Sequence, residues 1–79
     1  MTVRVVAFAR ARELLAERHS IEIADGARVS EAWIRLLEAI PQLSEVRGVR
    51  FAVGGRMSEP DRVLHEGDEL AILPAVGGG

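Results

Sequence analysis

The residues best suited to chemistry in this sequence stand at its C-terminus, where the chain closes on Gly77, Gly78 and Gly79. Glycines bury no side chain and have the largest backbone entropy, so this triplet cannot stabilise a fold. It is the thinnest peptide available, and at roughly 3.3–3.6 Å per residue it reaches about 10 Å into a narrow cleft. We therefore predict that the tail presents the carboxylate of Gly79 to another protein as a reactive group. An inert linker or a frayed end is the alternative that the glycines alone leave open.

Elsewhere the sequence offers no catalytic constellation. The absence of cysteine excludes disulfides and thiolate chemistry. His19 and His65 are the only histidines, and they lie neither at helical spacing nor beside other ligand residues, so we expect no metal site. The carboxylates are scattered, with no pair that indicates acid–base catalysis. Gly54-Gly55 lacks the lysine and the following helix of a phosphate loop, so we expect the domain itself to bind no cofactor.

The composition also limits the partners. The net charge is −2, acidic and basic residues are interspersed and aromatic residues are few, so we expect no nucleic acid. No apolar run approaches the ~18 residues of a membrane span and the N-terminus lacks a signal-peptide pattern, so we expect a cytoplasmic protein with no membrane partner. All ten basic residues are arginine, so an activated Gly79 would meet no lysine of its own chain.

Hydrophobic periodicity predicts a strand, a short helix, a strand, a long helix, two short strands and a final strand. The predicted strands cover residues 3–9, 19–23, 51–53, 56–57 and 69–73, and the short helix lies within residues 10–18. The long helix has Ser30 as its predicted N-cap and stops at Pro41. Its apolar stripe, expected to pack on the sheet, consists of Trp33, Leu36, Leu37 and Ile40. The rest of the predicted core consists of Val5, Ala7, Ile21, Ile23, Leu70 and Ile72.

Three segments carry a family resemblance: FARAREL at residues 8–14, EGDEL at residues 66–70 and LPAVGGG at residues 73–79. With them the chain resembles, from end to end, the family of small, sulfur-carrying subunits of molybdopterin synthase. The resemblance implies an α+β fold of the ubiquitin-like β-grasp type, a mixed sheet with one main helix packed on one face. We expect a β-grasp domain over residues 1–76 and a flexible glycine tail over residues 77–79.

The same resemblance implies a cycle of sulfur transfer. An ATP-using activating enzyme adenylates the carboxylate of Gly79, a sulfur donor converts it into a thiocarboxylate, and the large synthase subunit uses the sulfur to build the dithiolene of molybdopterin. Activation is needed because the oxygen of a free carboxylate is a poor leaving group. The chain would then be no enzyme alone but the carrier subunit of a heteromeric sulfurtransferase, and ATP would be used by the activating partner.

The partners are expected to dock beside the tail. In a β-grasp sheet the first and last strands are neighbours, and the alternation that turns Leu70 and Ile72 inward turns Leu73 outward. The same rule turns Val6 and Phe8 outward, and an exposed apolar patch usually marks an interface. The predicted partner-binding residues are Val6, Phe8, Leu73, Pro74 and Val76. The alternative is that the short helix covers this face.

Two positions depart from the family pattern. Ala75 follows Pro74 where a second proline is frequent, and Gly54-Gly55 stands where Asn-Gly is common in the hairpin. The segment before the glycines also resembles carriers that serve cysteine synthesis, and thiamine-pathway carriers share the terminal Gly-Gly. A ubiquitin-like modifier, joined through Gly79 to lysines of other proteins, is a further alternative, as is an interaction module with an inert tail.

Overall fold

The computed structural model describes residues 1–75, which form strands and helices in the predicted order. The strands are β1 (Thr2–Ala7), β2 (Ser20–Glu22), β3 (Arg50–Val53), β4 (Arg56–Ser58) and β5 (Glu69–Leu73). The α-helices are α1 (Ala9–Leu15) and α2 (Val29–Ala39), and a 3-10 helix (Pro41–Glu45) follows α2. Neither α-helix of this described part is long and apolar enough to cross a membrane.

The five strands of the described residues form one mixed sheet in the order β2-β1-β5-β3-β4. The central strands β1 and β5 run parallel, and Val5 lies opposite Leu70. The pairs β1–β2, β3–β5 and β3–β4 are antiparallel. The first and last strands are therefore neighbours at the centre of the sheet, and the predicted ubiquitin-like β-grasp fold is confirmed.

The core lies between one face of the sheet and α2. Val5 and Ile72 from the central strands are buried together with Leu36 of the helix. Trp33 packs edge-on against Phe51 of β3, with ring centroids 5.7 Å apart, so its predicted place on the core face is confirmed. Five predicted core residues are only partly buried at the margin of this cluster: Ala7, Ile23, Trp33, Leu37 and Ile40.

The start of α2 differs from the prediction by two residues. The helix begins at Val29, with Arg28 rather than Ser30 at the N-cap position. Glu31 takes over part of the capping, because its Oε1 accepts a hydrogen bond of 2.9 Å from the backbone N–H of Arg28. Val29 itself is fully buried, so starting the helix here carries one more apolar side chain into the core.

Sequence periodicity also missed core residues in irregular segments. Leu43 in the 3-10 helix and Leu64 in the long connection before β5 are both buried. The backbone N–H of Leu64 donates to the carbonyl oxygen of Ala27 at 2.8 Å, which ties this connection to the segment before α2. A single apolar residue between turns has no repeat around it, so its burial could not be read from a pattern.

The short helix α1 lies on the core side of the sheet. Its Ala11 and Leu15 are buried in the same cluster as Leu36, and the helix contacts the 3-10 helix that follows α2. The alternative in which this helix covers the opposite sheet face is therefore wrong. Phe8, which precedes α1, remains 51% exposed.

Two neighbouring leucines of α2 test this placement of the core. Leu36 is fully buried, so Leu36→Ala should lower the free energy of unfolding by about 2–5 kcal/mol through the cavity that it leaves. Leu37 lies only partly buried at the margin, and Leu37→Ala should cost less than half as much. Urea denaturation of both variants measures the difference, and equal losses would contradict the orientation of the helix.

Candidate functional site

The site is built where β5 leaves the sheet. The last β3–β5 pair is Arg50 with Leu73, and Pro74 then ends the ladder because it has no N–H to donate. Leu73 is the residue before a proline, which favours the extended backbone with which the strand ends. The predicted site residues Val76, Gly77, Gly78 and Gly79 lie outside the described residues.

A row of small apolar residues crosses the outer face of the sheet, opposite α2. Val6 lies beside Ala71, Ala71 beside Ala52, and Ala52 beside Met57. The two alanines are buried although no helix covers them, at 9% and 7% exposure. Each of these side chains is a single methyl group, so this part of the outer face is lower than the surface formed by the larger side chains around it.

An apolar groove lies beside the end of β5, next to the root of the tail. Phe8 and Met57 stand on either side, 51% and 59% exposed, and Leu73 lies partly buried between them. The groove holds about 730 Å³. Its lining is Phe8, Ala9, Gly48, Arg50, Met57, Leu73, Pro74 and Ala75.

Three of the predicted partner-binding residues, Phe8, Leu73 and Pro74, line this one groove. Phe8 does so in a different way from the prediction, because β1 ends at Ala7 and Phe8 is the N-cap residue of α1. Val6 lies on the same sheet face but outside the groove, in a separate depression beside α1. Their roles in binding stay predictions.

Met57 was missed by the sequence analysis. Alternation along β4 was the available signal, since Met57 lies between Arg56 and Ser58 in a predicted strand. What the sequence lacked was the order of the strands, which places β4 beside β3 and brings Met57 to the same face as Leu73.

The polar surroundings of the groove include one charged lining residue, Arg50. The carbonyl oxygen of Arg47 accepts a hydrogen bond of 3.1 Å from the N–H of Ala75. Further along the outer face, Arg4 and Glu69 form an exposed ion pair at 3.1 Å. An apolar groove with Arg50 in its lining suits a partner surface that combines apolar side chains with a carboxylate.

No group of three or more histidine, aspartate or glutamate side chains in residues 1–75 is arranged to hold a metal ion. The two histidines lie apart in the chain and both are exposed. His65 instead takes part in a turn, in which its backbone N–H donates to the carboxylate of Asp68 at 2.8 Å. The described geometry brings Leu73, Pro74 and Ala75 to the side of an apolar groove.

Comparison with known proteins gives three results for the whole chain. The sequence profile of the ThiS family matches residues 5–79. A molybdopterin synthase sulfur carrier subunit from Chlamydomonas reinhardtii is 31% identical, and the match covers 100% of both chains. The solved structure of a putative molybdopterin converting factor, subunit 1, from Pyrococcus furiosus has a TM-score of 0.86 and 29% identity, over 96% of this chain and 99% of its own.

A third relative is named for a different role. The crystal structure of SAMP1, the small archaeal modifier protein 1 of Haloferax volcanii, is similar with a TM-score of 0.86 and 27% identity. The match covers 100% of both chains. One fold is thus shared by a solved structure named as a putative molybdopterin converting factor subunit and by one named as a protein modifier.

We expect the groove to be a docking surface, and Met57→Asp tests this. An aspartate at position 57 would be desolvated against an apolar partner. Affinity for the two partners that the family resemblance implies, an activating enzyme and a sulfur acceptor, should therefore fall about tenfold or more. Leu73→Asp should have the same effect. Ile34→Asp is the matched control, because Ile34 is 55% exposed on α2, away from the groove.

Binding of these variants is measured by calorimetry, with circular dichroism to show that each remains folded. Equal affinities of the Met57→Asp and Ile34→Asp variants would place the docking surface elsewhere. Unfolding of the Leu73→Asp variant would show that Leu73 belongs to the core, and Met57→Asp would still test the groove.

Proposed function

Because the chain belongs to the ThiS family, we propose that it is a sulfur carrier whose Gly79 carboxylate becomes a thiocarboxylate and donates sulfur in molybdopterin synthesis. In this role it is a small subunit that acts together with a larger one. The observation that carries the proposal is the full-length likeness to a molybdopterin synthase sulfur carrier subunit. It is joined to a fold that brings Leu73 and Pro74 into an apolar groove at the root of a glycine tail.

The chemistry is divided between the chain and its partners. We infer that an activating enzyme uses ATP to adenylate the carboxylate of Gly79, which turns one carboxylate oxygen into part of a good leaving group. A sulfur donor then displaces AMP and leaves a thiocarboxylate. The chain supplies the acyl group, a tail thin enough to enter two different active sites, and one groove by which both partners recognise the domain.

The glycines suit this division because any side chain near Gly79 would have to fit both partners' channels. Gly78 has no Cβ, so a channel that encloses the tail can close on its backbone. The long apolar strand β5 remains in the sheet during each transfer, since its Leu70 and Ile72 are fully buried. The domain thus stays folded while only the tail enters the partner.

A second candidate is a protein modifier, and the likeness to the small archaeal modifier protein 1 favours it. Both functions require an activated terminal glycine and differ only in the nucleophile that attacks it. The lysine-free composition is compatible with both, because it removes side-chain amines of this chain as competing acceptors. Acceptor identity therefore decides between them.

Complementation of two bacterial strains tests the pathway. One strain lacks its own molybdopterin synthase small subunit and the other lacks its thiamine sulfur carrier. We expect the chain to restore molybdopterin, measured as its fluorescent oxidation product, and not to restore growth without thiamine. Restored thiamine synthesis with no molybdopterin would assign the chain to the other pathway.

Gly78→Ala is the matched variant for this assay. A Cβ at position 78 should leave the free energy of unfolding nearly unchanged, because glycines beyond the last strand stabilise nothing. The same Cβ should abolish molybdopterin formation by blocking entry into the partner's channel. Thermal unfolding and product yield are compared with those of the wild-type chain, and full yield from the variant would rule out a channel that admits only backbone.

A further inference from the structure

The segment that leaves β5 is held by the loop that leads into β3. The backbone N–H of Ala75 donates to the carbonyl oxygen of Arg47 at 3.1 Å. This bond lies one residue out of the antiparallel register of β3 and β5. That register pairs Leu73 with Arg50 and would place Ala75 opposite Gly48, whereas the Ala75 N–H bonds to Arg47. Pro74 interrupts the ladder, and the chain is fixed again immediately after it.

Gly48 is the residue that permits this close approach. Its φ is +63°, in the left-handed region that favours glycine. A Cβ added to Gly48 would lie 2.6 Å from the Cβ of Ala75, a separation at which one of the two segments must move. The next atoms, the Cα and N of Ala75, would be 3.6 Å away, an ordinary contact. The clash therefore depends on one methyl group of Ala75.

We propose that Arg47 and Gly48 form a clamp on Ala75, and that Gly48 is a positioning residue for activation of Gly79, an inference that rests on the proposed function. Four residues follow Ala75 and can reach at most about 14 Å from it. With so short a reach, the point at which the tail starts limits where the carboxylate can be delivered. Misplacing a reacting group by about 1 Å can slow a reaction by about 100-fold, so the clamp acts on the rate of the activated step.

The clamp and the docking groove share residues but do different work. Gly48 and Ala75 lie at the tail end of the groove, whereas Phe8 and Met57 supply its exposed apolar side chains. A change in the clamp should therefore act mainly on kcat, and a change in Met57 mainly on KM. This separation distinguishes positioning from docking.

The test compares three variants in adenylation by the activating enzyme, followed as pyrophosphate release at varied concentrations of the chain. Gly48→Ala should lower kcat by about tenfold or more and leave KM within about threefold. Gly26→Ala is the control, because Gly26 also has a positive φ, +81°, but an added Cβ would meet nothing within 4 Å. It should retain both constants.

The third variant combines Gly48→Ala with Ala75→Gly. Removing the Cβ of Ala75 eliminates the 2.6 Å clash, so the double variant should recover most of the lost kcat. A purely structural defect of alanine at position 48 would not be rescued in this way, since the backbone strain remains. Failure of the rescue would overturn the assignment of Gly48 as a positioning residue.

Hydrogen exchange of the Ala75 amide in the free chain measures directly whether its hydrogen bond to Arg47 is formed. The amide should be protected in the wild-type chain and in Gly26→Ala, and exposed to exchange in Gly48→Ala. An unprotected wild-type amide would overturn the clamp. Protection lost in Gly48→Ala without any fall in kcat would overturn its role in positioning.

If the wild-type chain is not adenylated at all, the proposed function and the role of Gly48 in activation both fail, while the exchange result still decides whether the clamp exists.

Discussion

The parallel pairing of β1 with β5 is the interaction on which the rest of the structure depends. It places the last strand at the centre of the sheet, where Leu70 and Ile72 are fully buried under the helices. Each apolar side chain buried in this way contributes roughly 1.5–3 kcal/mol, so β5 cannot leave the sheet without unfolding the domain. The chain beyond Leu73 therefore starts from a fixed strand end.

The two faces of the sheet serve different needs. The core face receives α2 and also α1, whose Ala11 and Leu15 pack with Leu36. Because both helices are on that side, no helix covers the outer face, where exposed Phe8 and Met57 border an apolar groove. A small domain of this kind can thus have a stable core and an exposed apolar groove at once, since they lie on opposite sides of one sheet.

The strands and helices could be predicted where their apolar residues recur at a regular spacing. The bounds of β5 were predicted to the residue, and Pro41 was correctly expected to stop the long helix. Contacts between residues far apart in the chain could not be predicted from spacing. Met57 joins the groove because β4 lies beside β3. Leu64 belongs to a connection that a backbone hydrogen bond to Ala27 holds against the core. The start of α2 was misplaced because local capping preference favoured Ser30, whereas burial of Val29 set the boundary. The reactive end of the tail was inferred from residue type and family resemblance alone.

The central claim is that the tail carries sulfur on the carboxylate of Gly79, and the intact mass of the chain tests it most directly. The chain is purified from cells with an active sulfur-transfer pathway and weighed beside a variant that lacks Gly78 and Gly79. The account predicts that part of the wild-type chain gains the mass difference of one oxygen replaced by sulfur, and that the truncated variant never does. A wild-type chain found only as the carboxylate, or joined through Gly79 to lysines of other proteins, would contradict it.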